Sequence, residues 1–173
     1  MYDGVKKGNE YNKPIIQNEY TRQKVNCEKE CLKNNSLVIR INFINKNKRN
    51  LLGWLVSSVK KNKKLILFKD IKFNPLRSAT IAKIIFKIIK SGNYKKTGLY
   101  NLGSSNGISK SKFCLKVFKY LKKKVNYQIL SSDGFFKCKR PKNMIMNIKK
   151  FERNFNFKLP KIESEIKNEI KSN

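Results

Sequence analysis

A chain of 173 residues with 39% apolar content is long enough to bury a real core, as one domain or one and a half. No apolar run approaches the roughly 18 residues of a spanning helix, and the start, MYDGVKKGNEYNK, lacks a signal peptide's apolar core, so a cytoplasmic location without a membrane partner is expected. The formal net charge of +30 invites a nucleic-acid reading, but only six of the 41 basic residues are Arg, whose planar fork phosphate and base recognition recruits. The lysines are scattered from Lys6 to Lys171, and Lys, Asn and Ile share A/T-rich codons, so a biased genome yields this composition without selection for a polyanion. Nucleic acid is therefore not the expected partner; an attraction for smaller anions, a nucleotide pyrophosphate included, fits better.

In chain order, residues 17 to 34 read as a helix, and LVIRINF (37 to 43) as a short β-branched strand suited to burial. LLGWLVSSVKK (51 to 61) is helical and KLILF (64 to 68) a strand. TIAKIIFKIIKSG (80 to 92) carries apolar residues at 81, 84, 85, 88 and 89, a helical stripe ended by Gly92. GLYNLG (98 to 103) is a strand between glycines, and SKSKFCLKVFKYLKK (109 to 123) an amphipathic helix with Ser109 at its N-cap. NYQIL (126 to 130) is a strand, and a last helix follows Leu159, with Pro160 in its first turn. Strands separated by helices give an α/β architecture. A whole doubly wound nucleotide-binding domain needs about six strands and a glycine-rich turn. The nearest stretch, GSSNG (103 to 107), has the wrong spacing and comes late.

The chain contains no histidine, which excludes Ser-His-Asp and Cys-His catalysis. Acid-base chemistry must come from Tyr, Lys or carboxylates. The four cysteines, Cys27, Cys31, Cys114 and Cys138, form no C-x-x-C pair. Cys27 and Cys31 lie one helical turn apart, but no second cluster completes a four-ligand zinc site, so reduced, half-buried thiols are expected.

Tyr20 and Lys24, in NEYTRQKVNCEKE, are four residues apart and share one helix face, with Cβ atoms about 5–6 Å apart. An ammonium beside a phenol favours the phenolate, so such a tyrosine can pass a proton to a developing alkoxide. The same spacing arises by chance in a Lys-rich chain, where it marks a solvated helix face. Spacing alone leaves both readings open.

Six segments in order resemble the extended short-chain dehydrogenase/reductases, and within them the dTDP-4-dehydrorhamnose reductase family. MYDGVKKGNEYNKP is similar to the family's V-F-D-G loop, and NEYTRQKVNCEKE to its Y-G-x-x-K helix with the acidic residue after it, here Glu28. LVIRINF resembles the I-R-T-x-W strand, LILFKDIKFNPLRSATIAKII the F-x-D-x-x-x-x-P segment and D-L-A helix, and GLYNLGSSNGISKSKF the G-L-Y-H-L strand with its capped helix. RPKNMIMNIKKFERNF, followed by LP, resembles the R-P-x-N-x-x-L-N/D signature and the helix near the C-terminus.

The resemblance implies Tyr20 as proton donor and Lys24 as its activator, with both meeting the ribose of NADPH or NADH. It implies Phe43, Arg140 and Asn143 on the side of a nucleotide-sugar substrate, Phe43 standing where an aromatic, usually Trp, lies near the sugar. By residue type alone, Asn143 bonds local backbone more readily than substrate, and Arg40 is a structural cation. Trp54 and the stripe Phe113, Val117 and Tyr120 read as core, and Asp3 as a turn residue. Thr21 and Cys27 replace small glycines of the family, Thr80 replaces a helix-capping Asp, and Lys112 sits where a capping-box Glu would help.

The implied fold is the C-terminal portion of a doubly wound, Rossmann-like sheet plus a small α/β substrate-binding lobe. Residues 1–43 would close the NAD(P)-binding part, and 44–173 would form mainly the lobe, with strand 98–102 returning to the sheet. Family members carry the glycine-rich turn and a catalytic Ser or Thr ahead of the point matched by Met1. The chain is therefore expected to hold NADPH weakly if at all by itself, and to work with a complementary N-terminal chain. A non-catalytic nucleotide-sugar-binding or regulatory relative is the alternative. An exposed apolar edge is expected at 37 to 43.

Overall fold

The computed structural model describes residues 8–61, 63–136 and 141–172. Asp3, Cys138 and Arg140 lie outside them.

The first helix, α1 (Glu19–Lys33), starts where Asn18 accepts hydrogen bonds from the backbone N–H and hydroxyl of Thr21, both at 2.9 Å. That satisfies one of the donors a helix start leaves open. The strand that follows splits in two at Asn42, into β1 (Leu37–Ile41) and β2 (Phe43–Ile44). After α2 (Leu51–Lys60) come β3 (Leu65–Phe68), β4 (Lys72–Phe73) and β5 (Leu76–Arg77), leading into α3 (Ser78–Lys90). A single 3-10 turn precedes β6 (Gly98–Leu102), which is followed by β7 (Ile108–Ser109), α4 (Lys110–Leu121) and β8 (Tyr127–Leu130). The chain closes with β9 (Asn143–Met144), α5 (Lys149–Phe155) and α6 (Ile162–Lys171).

Pairing is mostly parallel. Strand β1 lies beside β6, with Leu37 opposite Gly98 and Ile41 opposite Leu102. Parallel pairs also join β2 to β5 and β3 to β8. Strand β4 runs antiparallel to β7 and parallel to β9. Parallel strands need crossovers, and the helices supply them. The result is the mixed α/β arrangement expected from the alternation of strand and helix patterns.

Two cores hold it. The first gathers Leu52 and Leu55 of α2, Leu65 and Leu67 of β3, Phe113 and Val117 of α4 and Ile162 and Ile166 of α6. The second packs Ile81, Ile84 and Ile88 of α3 and Tyr100 and Leu102 of β6 against Phe151 and Phe155 of α5. Each such fully buried side chain is worth about 1.5–3 kcal/mol. Asn74, 1% exposed, donates to the carbonyls of Ser104 and Met146 and accepts from the Met146 N–H, knitting three segments between the cores.

Several expectations are corrected. Thr80 does not cap α3: Arg77 holds the N-cap position, and Glu165 reaches over from α6 to accept from the Arg77 N–H at 2.7 Å and the Thr80 hydroxyl at 3.2 Å. A carboxylate at a helix N-terminus suits its dipole, so α6 supplies the acid that α3 lacks. Pro160 precedes the Lys161 N-cap of α6 instead of entering its first turn. On α3, Ile85 and Ile89 of the predicted stripe are exposed, as is Phe86, because the stripe is wider than the one face α3 packs. Trp54 and Tyr120 are also partly exposed, at 42% and 38%. Ser109 does cap α4, accepting from the Lys112 N–H at 3.2 Å.

Candidate functional site

Helix α1 lies against β1, and the two are tied by an ion pair. Arg40 Nε stands 2.7 Å from Glu28 Oε2, and its terminal nitrogen 2.5 Å from Oε1, with both side chains largely buried. This gives Arg40 the structural role its residue type suggested. Thr21 and Val25 face inward from α1. Tyr20 and Lys24 flank that inward face on one side, the Lys24 ammonium 5.7 Å from the centroid of the Tyr20 ring. Tyr20 is 60% exposed.

Between α1, the edge of β1 and the 143–146 segment runs an open cleft of about 540 Å³. Tyr20, Lys24, Phe43 and Asn143 all line it, with Met144 and Met146 as an apolar floor. Four of the five expected site residues thus converge, and the fifth, Arg140, lies outside the described residues. Phe43 is 48% exposed at the head of β2, and Ile41 beside it is 42% exposed, so the apolar edge expected at 37 to 43 is present. Asn143 uses its side-chain oxygen locally, accepting from the Ile145 N–H at 3.1 Å. Asn42 holds the same segment from the strand side by donating to the Met144 carbonyl at 3.0 Å. Among the described residues no group of three metal-ligating side chains occurs.

A second cleft, of about 400 Å³, was not foreseen from the sequence. Trp54, Phe68 and Phe136 offer aromatic faces there, and Lys48, Arg49 and Lys110 bring positive charge. It also receives the start of α2, whose Asn50 N-cap makes no side-chain capping bond. Phe68 packs on Phe135 and Phe136 at 4.8 and 5.1 Å between centroids. The signal was Trp54 beside a Lys-Arg-Asn run, masked because Trp on an apolar stripe reads as core.

The loop carrying Phe135 and Phe136 is moored by Asp70. Its carboxylate accepts from the Ser132 backbone at 3.0 Å, the Ser132 hydroxyl at 2.8 Å and the Ser131 hydroxyl at 3.0 Å. Lys142, on the far side of the loop, bridges Asp70 at 3.3 Å and Asp133 at 2.5 Å. Burial pushes the Asp70 carboxyl up, but the Ser132 and Ser131 hydrogen bonds outweigh it and hold it down at about 2.

The likeness to known proteins covers the whole chain. The family described as the RmlD substrate binding domain matches residues 1–173. A dTDP-4-dehydrorhamnose reductase from Bacillus anthracis, solved in complex with NADP, superposes with a TM-score of 0.88 at 20% identity, over 98% of this chain and 61% of that one. The Clostridium acetobutylicum dTDP-4-dehydrorhamnose reductase gives 0.86 at 18% identity, over the same shares. A dTDP-glucose 4,6-dehydratase from Bacillus anthracis, in complex with NAD, gives 0.79 at 16% identity, over 98% of this chain and 58% of that one. No curated protein sequence matches. The chain thus spans about three-fifths of the length of the reductases it superposes on, and it shares their fold over almost all of its own. With the family matched from first residue to last, this chain belongs to the RmlD substrate-binding-domain family.

Proposed function

We propose that the chain is the C-terminal, substrate-binding part of an NADPH-dependent sugar-nucleotide reductase that reduces dTDP-4-dehydrorhamnose to dTDP-rhamnose in the cytoplasm. The observation that carries this reading is the convergence of Tyr20, Lys24, Phe43 and Asn143 on one cleft in a chain of this family. In that reaction Tyr20 would protonate the oxygen at the sugar's C4, and Lys24 would orient the phenol and hold the cofactor's ribose. Hydride comes from the nicotinamide, which is the one chemical step the cofactor supplies. Phe43 stacks on the sugar, and Arg140 and Asn143 steady the substrate from the signature segment.

The second cleft suits the nucleoside diphosphate. An aromatic face for a base and three cations with an uncapped helix start for phosphates are the groups such a ligand needs. In the domain division that goes with this reading, residues 1–43 close the cofactor domain and 44–173 form mainly the substrate lobe, with 98–102 in the sheet. The exposed apolar residues at Ile41, Phe43, Ile85, Phe86 and Ile89 support a further part of the protein, or a complementary chain, covering them.

The test mixes the chain with the glycine-rich N-terminal part of a dTDP-4-dehydrorhamnose reductase and follows NADPH oxidation. Turnover that falls at least about a hundredfold with Tyr20→Phe supports the assignment, and unchanged turnover removes Tyr20 from the mechanism. Tight dTDP binding by the chain with no turnover in any mixture replaces the reductase reading with that of a non-catalytic nucleotide-sugar binder.

A further inference from the structure

The two strands that end beside the second cleft stay in register to their last residues. Phe68 of β3 stands opposite Leu130 of β8, and the Lys69 N–H closes the ladder on the Leu130 carbonyl at 3.1 Å. Just beyond, a side chain takes over from the backbone. The Asp70 carboxylate, in a side chain 18% exposed, accepts from the Ser132 N–H at 3.0 Å and from its hydroxyl at 2.8 Å. From Ser132 the chain reverses in a turn closed by the Phe135 N–H on the Ser132 carbonyl at 3.2 Å. Gly134 in that turn has φ +70°, which glycine adopts without strain. The turn brings Phe136 back to 5.1 Å from Phe68 between ring centroids. Both rings line the cleft with Trp54, beside Lys48, Arg49 and Lys110. Asp70 is not among the lining residues, so it acts on the cleft through what it holds.

On charge alone, a carboxylate near a cluster of cations weakens their hold on an anion. Its hydrogen bonds give Asp70 a different use. We propose that Asp70 is a positioning residue for nucleotide recognition: its carboxylate holds the turn from Ser132 to Phe135 so that Phe136 stands as an aromatic wall for the base of a nucleoside diphosphate. The inference rests on the reading of the second cleft as the nucleoside diphosphate site. An ionised acceptor makes stronger hydrogen bonds than a neutral amide of the same shape, so the charge of Asp70 is what keeps the turn closed. A ring already held in place presents its face to the base without further loss of freedom, whereas a released ring must be ordered as the ligand binds. Phosphates are drawn by the cations and not by the ring, so their share of the binding does not depend on the latch.

Trp54, the chain's one tryptophan, lies in the cleft, so its fluorescence reads binding to the full chain. The experiment titrates dTDP, and inorganic pyrophosphate as a probe without a base, into the parent, Asp70→Asn, Phe136→Leu and the double variant, with circular dichroism checking the fold. The parent is expected to hold dTDP more tightly than pyrophosphate. Asp70→Asn and Phe136→Leu each weaken dTDP about tenfold and leave pyrophosphate within about twofold. The double variant is no weaker than Phe136→Leu, because both changes remove the same wall. Ser132→Ala breaks the latch from the loop side without altering charge, and it weakens dTDP with the same selectivity. If charge alone mattered, Asp70→Asn would tighten both anions, the opposite sign. Unchanged or tighter dTDP binding in Asp70→Asn, equal losses for both ligands, or additive losses in the double variant overturns the latch and leaves the nucleotide site standing. A parent chain that binds no dTDP overturns the reading of the cleft, and the latch with it.

Discussion

Removing the charge of Glu28 tests how α1, and with it the Tyr20–Lys24 pair, is held. Only Thr21 and Val25 among its fifteen residues are buried, so apolar packing anchors it at few points. The ion pair to Arg40 is the strong tie: two short contacts in fork geometry, with side chains 14% and 15% exposed. Glu28→Gln keeps the shape and deletes the charge, leaving a largely desolvated guanidinium without its carboxylate. Breaking a fully buried pair costs about 3–5 kcal/mol, and residual solvent access lowers the expectation to about 2–3 kcal/mol. For a chain of this size that is a fall in Tm of roughly 4–12 °C. Urea denaturation gives the loss, a double-mutant cycle with Arg40→Met isolates the coupling, and hydrogen exchange shows whether α1 amides open first. A Glu28→Gln variant within about 0.5 kcal/mol of the parent, or a coupling below that figure, would show a screened surface contact and refute the anchoring argument.

Three further outcomes are expected. A Cβ on Gly53 would collide with the backbone carbonyl oxygens of Asn47 and Lys46, so Gly53→Ala costs about 2–3 kcal/mol in urea unfolding; a neutral result would deny the close approach of α2 to the 46–47 turn. Asn74→Ala strips three buried hydrogen bonds at once and lowers stability by about 3 kcal/mol, whereas an unchanged denaturation midpoint would mean water replaces them. Because the Asp70 carboxyl titrates at about 2 in the folded chain and near 3.8 when free, its stabilisation is present above about pH 4 and is lost as the pH falls toward 2. The lowering comes from the Ser132 and Ser131 hydrogen bonds on a loop that solvent reaches, so the change is held to on the order of 1 kcal/mol. Asp70→Asn flattens the stability profile in that window, and a profile that keeps its slope assigns the effect to other carboxylates.

The elements whose patterns repeat over many residues were legible before any coordinates. Helices α1 and α4 show polar caps, Asn18 and Ser109, ahead of helical periodicity, and β1, β3, β6 and β8 are short apolar runs between turn residues. The two-residue strands β4, β5, β7 and β9 escaped, and β2 was seen only as the end of the 37–43 run, because a period of two cannot be read from two residues and their pairing is set by distant partners. Trp54 was misread for a related reason: an apolar stripe says that a side chain has an inner face to go to, not whether its neighbours leave a cleft there.

The same division runs through the site. The i, i+4 spacing of Tyr20 with Lys24, and of Cys27 with Cys31, follows from helix geometry alone and was on the page with the letters. That Phe43 and Asn143 join the first pair in one cleft, that Glu28 pins their helix through Arg40, and that Glu165 on α6 serves α3 as its missing acid were decided by tertiary structure. Local backbone geometry is set by each residue and its near neighbours, so sequence carries it directly. Contacts between remote segments depend on how whole elements pack, and no short-range pattern encodes that.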